Sequence, residues 1–198
     1  MKNKKNYLPI NIKKILSCLL IIMLSILSIS CDNDDSDDNS DTENIEQTPS
    51  AGTANIILTA GGQEFKITGP CGWASVTDVN YIGANQADNK LRTFSSYFNI
   101  AQPPTITTTY TLVGDSKDID SNHITMNITE ISGTTLISWI SKNTSGTLTL
   151  VVDGNKVTAN LEGITLYPQT ESGFFTNGNT GAFANNGALT GTLTFYKQ

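Results

Sequence analysis

From Asn55 onward the sequence predicts an all-β domain. The expected form is an antiparallel β-sandwich of about ten strands, with a closed β-barrel as the alternative. Three observations carry this. Apolar residues recur at every second position, the period of a half-buried strand. Gly, Asn, Asp and Pro separate the runs. No 3.6-residue periodicity follows the first thirty residues.

The elements follow in order. In "NIILTAGGQEFKIT", Gly61-Gly62 supplies the positive φ of a tight hairpin turn, which sets Leu58 opposite Phe65 and Ile56 opposite Ile67. "WASVTDVNYI" reads as one further strand. In "RTFSSYFNI", Phe94, Phe98 and Ile100 share a face, and Pro103-Pro104 end the run because neither donates to a ladder. "TITTTYTL" sets Ile106, Tyr110 and Leu112 inward against threonines, and "HITMNI" does the same with Ile124, Met126 and Ile128. "TLISWIS" is apolar on both faces, with Leu136 and Ile140 on one and Ile137 and Trp139 on the other, as in a central strand. In "TLTLVVDGNKVTANL", a turn at Gly154-Asn155 pairs Val152 with Val157, Leu150 with Ala159 and Leu148 with Leu161. It also sets Asp153 against Lys156, a favourable cross-strand charge pair. Beyond Leu161 the parity slips by one, so a bulge is expected near Glu162-Gly163. "ALTGTLTFY" buries Leu189, Leu193 and Phe195.

The N-terminus has a different grammar. Lys2, Lys4, Lys5, Lys13 and Lys14 precede the uncharged run Ile15 to Ser30. A basic start and a short apolar run ending in small residues describe a secretory signal. As a helix the run spans about 24 Å, short of a ~30 Å hydrocarbon core. The run ends at Cys31, and Asp32, Asp34, Asp35, Asp37 and Asp38 follow at once. "SISCDNDDSDDNSD" resembles the signal of Bacteroidetes surface lipoproteins, although Ser28 stands where that family prefers leucine. The resemblance implies that Cys31 is acylated, anchoring the protein to the lipid bilayer of the outer membrane. It also implies that the acidic stretch directs export to the cell surface. "SGTLTLVVDGNKVTANLEGITL", with the terminal "GTLTFYK", is similar to uncharacterised β-domains of such lipoproteins, which implies fold and not activity. The expected organisation is a signal peptide at 1–30, a lipidated acidic tether at 31–53 and the β-domain at 54–198. Asp32 to Thr53 as a flexible chain spans roughly 25 Å, enough to lift a domain clear of the headgroups.

Composition narrows the function. The chain carries 12 basic and 18 acidic residues. Removing residues 1–30 removes five lysines and no acid, and eight of the acids lie between Asp32 and Glu46. The β-domain is therefore mildly acidic, with no basic stripe for nucleic acid. With Cys31 acylated, Cys71 is the one cysteine left in the mature chain, and "GPCGW" reads as a small buried residue rather than a reactive thiol.

Chemistry-bearing constellations are sparse. His123 is the single histidine, and its place beside Ser121 reads as a solvent-facing strand start rather than a triad. One histidine and one cysteine do not make a zinc site. Asp118, Asp120 and Asn122, with Asp115 nearby, match the opening of a calcium loop. However, His123 replaces its glycine and Thr129 its terminal glutamate, so a polar turn is expected. No catalytic residue, metal or cofactor is assigned, and no glycosidase carboxylate pair is legible.

One long segment remains, "YPQTESGFFTNGNTGAFANNG", Tyr167 to Gly187. Loops of such length in compact domains tend to be functional or disordered. Phe174, Phe175 and Phe183, with Trp73, are the candidate ligand-binding residues: aromatic faces beside Asn amides suit a glycan. The competing reading folds the rings back as a plug, since phenylalanine is usually core. The expectation is a non-catalytic ligand-binding module at the cell surface, with a structural or interaction subunit bound to an outer-membrane protein as the alternative.

Overall fold

The computed structural model describes residues 52–76, 79–87, 91–170 and 173–197. The expectations attached to residues 1–30, to Cys31 and to Asp32, Asp34, Asp35, Asp37 and Asp38 lie outside the described residues.

Twelve strands form the described fold. They are β1 (Gly52–Ala60), β2 (Gln63–Val76), β3 (Val79–Ala87), β4 (Leu91–Phe98), β5 (Thr108–Leu112), β6 (His123–Ser132), β7 (Thr135–Ile140), β8 (Thr147–Asp153), β9 (Lys156–Asn160), β10 (Thr165–Pro168), β11 (Thr176–Asn177) and β12 (Gly187–Tyr196). Nine of them run in the order β1-β2-β3-β4-β6-β5-β8-β9-β12, and β12 returns to β1 over eight residue pairs, from Thr53↔Thr194 to Ala60↔Gly187. The all-β expectation therefore resolves to the closed barrel rather than the sandwich. Closure leaves no exposed edge in that ring to template aggregation. A second path, β6–β7–β10–β12, bridges the same stretch of wall. β11 lies parallel on β7.

The local pattern explains most of the wall. Gly61 and Gly62 adopt φ of 55° and 78°, and Leu58↔Phe65 and Ile56↔Ile67 pair as expected. Val152↔Val157 and Asp153↔Lys156 flank the Gly154-Asn155 turn. Val157, Ala159 and Leu161 are buried, and then Ile164 and Leu166, so the chain takes its one-residue slip at Glu162-Gly163. β12 accommodates the slip: it pairs with β10 at Gly187–Ala188 and with β9 from Thr192, and between them the Gly191 carbonyl accepts from the Leu161 N–H at 3.0 Å. Gly191 sits at φ 102°, where a side chain would collide with the Asn55 carbonyl oxygen.

Two local expectations are corrected. "WASVTDVNYI" is not one strand but the end of β2 and the start of β3, paired as a hairpin from Val76↔Val79 to Cys71↔Ala84. Ile106 does not face the core. It is 74 % exposed, because the strand begins only at Thr108, whose hydroxyl turns back to donate to the Ile106 carbonyl at 2.8 Å. Tyr110 and Leu112 do face inward.

The core fills the barrel lumen. Leu58, Phe65, Ile67, Phe94, Ile124, Ile128, Trp139, Leu148 and Phe195 are all buried. At ~1.5–3 kcal/mol for each large apolar side chain removed from water, this interior supplies the main driving force for the fold.

Candidate functional site

The two ends of the barrel are distinct. The chain enters at Gly52 and β1 runs from there to Ala60, beside the Gly61-Gly62 turn. Over that far end folds the segment 173–187, which forms a cap. Inside it, β11 is followed by a short 3-10 turn at Gly181–Ala184. The fit is close: at Gly61 an added Cβ would approach the Ala182 backbone to 2.7 Å.

Asn179 holds the cap in place. It is buried, its side-chain oxygen accepts the Ser138 N–H at 2.9 Å, and its amide donates to the Phe183 carbonyl at 3.0 Å. Its own N–H is taken by the Asn177 side chain at 2.8 Å. The Trp139 indole donates to the Asn185 carbonyl at 3.1 Å, and the Asn185 amide closes on Ala182 at 2.9 Å. The cap's asparagines thus satisfy backbone groups that burial would otherwise strand. Asn179 was not singled out from sequence; its signal is the Asn177-Gly178-Asn179 turn.

The four candidate aromatics part company. Phe183 packs on the core, edge-on to Trp139 at 5.6 Å and to Phe65 at 6.4 Å. Phe174 is 90 % exposed, at a turn where Gly173 takes φ 60°. Phe175 is half-buried. Trp73 lies at the opposite end of the barrel, eight residues along β2 from Phe65 or about 26 Å of strand. It is half-buried, 5.0 Å from Phe98 and 6.4 Å from Phe195. Its indole nitrogen is buried without a hydrogen-bond partner, a desolvation cost of about 1–3 kcal/mol. The structure therefore brings Phe174, Phe175 and Phe183 to one end and leaves Trp73 at the other.

Beneath the cap lies an ion pair inside the barrel. Glu130 is buried and accepts from Arg92 Nε at 2.8 Å. The guanidinium stands 4.7 Å from the Phe65 ring centroid and donates through Nη1 to the Lys66 carbonyl at 3.2 Å. Register produces the pairing, since Arg92 and Glu130 are direct cross-strand partners on β4 and β6.

The remaining polar candidates resolve into a turn. Asp115 accepts the Lys117 N–H at 3.0 Å, and Asp120 accepts the Asn122 and His123 N–H groups at 2.7 and 2.9 Å. These bonds hold both carboxyls below the ordinary aspartate range, helped at Asp115 by the Lys117 ammonium and at Asp120 by the His123 ring. His123 opens β6, with Nδ1 2.9 Å from Asp120 Oδ2. Among the described residues, no group of three or more His, Cys, Asp or Glu could hold a metal ion. Cys71 is buried, and burial pushes its thiol up to about 12. An acid-oriented histidine is two-thirds of a hydrolytic triad. Among the described hydrogen bonds, none brings a hydroxyl or thiol to its Nε2.

No protein-family model, curated protein or solved structure matches this chain.

Proposed function

We propose that the chain is an outer-membrane surface lipoprotein, anchored through acylated Cys31, whose barrel is a non-catalytic ligand-binding module. The observation that carries the binding reading is Phe174. A phenyl ring 90 % exposed leaves its whole apolar surface to a partner, and it stands at the barrel end remote from Gly52. The lysine-flanked apolar run ending at Cys31 supports the anchor, and the acids after it support surface display.

Two partner classes, a glycan and a protein, make different demands on such a ring. A glycan platform needs a ring with one free face and polar groups beside it. The amides of Asn179 and Asn185 are committed within the cap, and the Phe174 ring is open on all sides. That observation favours the second reading, an interaction subunit that inserts the ring into an apolar pocket of an outer-membrane protein.

The test is a glycan array beside photo-crosslinking on cells, each with wild type and Phe174→Ala. Array signal lost in the variant supports the glycan ligand. A silent array with a protein adduct lost in the variant supports the interaction subunit. Signals unchanged by the substitution would remove Phe174 from the site. Cys31→Ala tests the anchor, because the variant should leave the membrane fraction.

A further inference from the structure

Three large apolar side chains stand well exposed among the described residues: Phe174 on the cap, and Ile106 and Val151, at 74 % and 47 %, at the other end. The last two are neighbours. The Val152 N–H donates to the Thr107 hydroxyl at 3.1 Å, and Thr108 pairs with Leu150. Val151 begins a cross-strand row on the outer wall, Val151↔Thr158, Thr158↔Thr194 and Thr194↔Thr53. Thr53 is the second residue of β1. The strand by which the chain enters the barrel and the two aliphatic side chains therefore share one end.

We infer that this end is a lipid-docking surface: Ile106 and Val151 seat in the headgroup boundary of the bilayer that carries the acylated Cys31. The inference rests on the lipoprotein reading. Two aliphatic side chains alone are an ordinary surface feature and bind a bilayer weakly. The tether changes the balance. Only twenty residues separate Cys31 from Gly52, a reach of roughly 25 Å, so the barrel is held at a millimolar effective concentration against the lipid. A contact too weak to capture a free protein becomes the dominant state of a tethered one. Because the tether joins the barrel at this same end, seating needs no reversal of its path. The result is orientation, with the cap and Phe174 turned away from the membrane.

The test uses the full lipidated chain in phosphatidylcholine vesicles with brominated acyl chains, which quench nearby indoles. Ile106→Trp places a reporter on the docking end and keeps it apolar. Phe174→Trp places one on the cap. Both are read against the background of the native tryptophans. The indole introduced at 106 should lose most of its emission and the one at 174 almost none. Adding Val151→Asp should restore emission at 106, with the protein still floating with the vesicles. Floating protein with equal emission at the two positions would overturn the docking and leave the anchor standing. Protein that does not float would overturn the lipoprotein reading, and the docking with it.

Discussion

Asn179 Oδ1 accepts the backbone N–H of Ser138 across 2.9 Å, joining the cap to strand β7 forty-one residues earlier. Asn179→Ala removes that acceptor and leaves a buried N–H unsatisfied. The expected cost is about 1–3 kcal/mol, read as a lower midpoint in urea denaturation. Hydrogen exchange should rise first at Ser138 and Phe183, because the cap opens before the barrel does.

The phenylalanines of the cap separate by stability. Phe174→Ala should change the unfolding free energy by less than ~0.5 kcal/mol, as exposed substitutions do. Phe183 is only partly buried, so Phe183→Ala should cost about 2–3 kcal/mol, below the ~3–5 of a fully buried ring. Denaturation curves for the two variants decide this. A Phe174→Ala midpoint as low as that of Phe183→Ala would mean that both rings belong to the plug.

These contrasts show what sequence could and could not tell. The hairpin at Gly61-Gly62 was legible to the residue, and the one at Gly154-Asn155 next to its turn, at Val152↔Val157 and Asp153↔Lys156, because a two-residue turn and a period of two fix register locally. Barrel closure was not, because it depends on Thr53–Ala60 meeting Gly187–Thr194 across the whole domain and on β5 entering parallel to β6. No glycine stands between Val76 and Val79 in the sequence to split β2 from β3. Ile106 fits the inward alternation of its run, but the chain joins the wall only at Thr108, two residues too late for it. In the cap, Phe174, Phe175 and Phe183 look alike in sequence, and only the Asn179 bonds and the Trp139 contact tell them apart.

Cys71 should make alkaline stability fall. Its thiol has an ordinary value of 9.0 and is raised by burial to about 12, so the unfolded chain ionises first. The contribution is fully present below pH 9 and is lost as pH rises toward 12, at up to ~1.4 kcal/mol per pH unit. Cys71→Ala should flatten the fall between those limits relative to wild type. Near neutral pH the native thiol should resist alkylation and react only on unfolding. Fast modification of the folded protein would contradict its burial.

Gly191 and Gly154 have positive φ, 102° and 58°, yet alanine should affect them very differently. At Gly154 an added Cβ meets nothing within 4 Å, so Gly154→Ala bears only the conformational penalty, about 1 kcal/mol. At Gly191 the added Cβ overlaps the Asn55 carbonyl oxygen and crowds the Ile56 Cα. Neither is a flexible side chain that could swing aside. β1 and β12 would have to separate where they close the barrel, next to the carbonyl that receives the Leu161 N–H. Gly191→Ala should therefore cost on the order of 3 kcal/mol or more, among the largest effects of a single methyl group. Thermal unfolding of the two variants beside wild type measures the difference. Equal losses would mean that the β1–β12 seam yields, and that closure is looser than its eight-pair register implies.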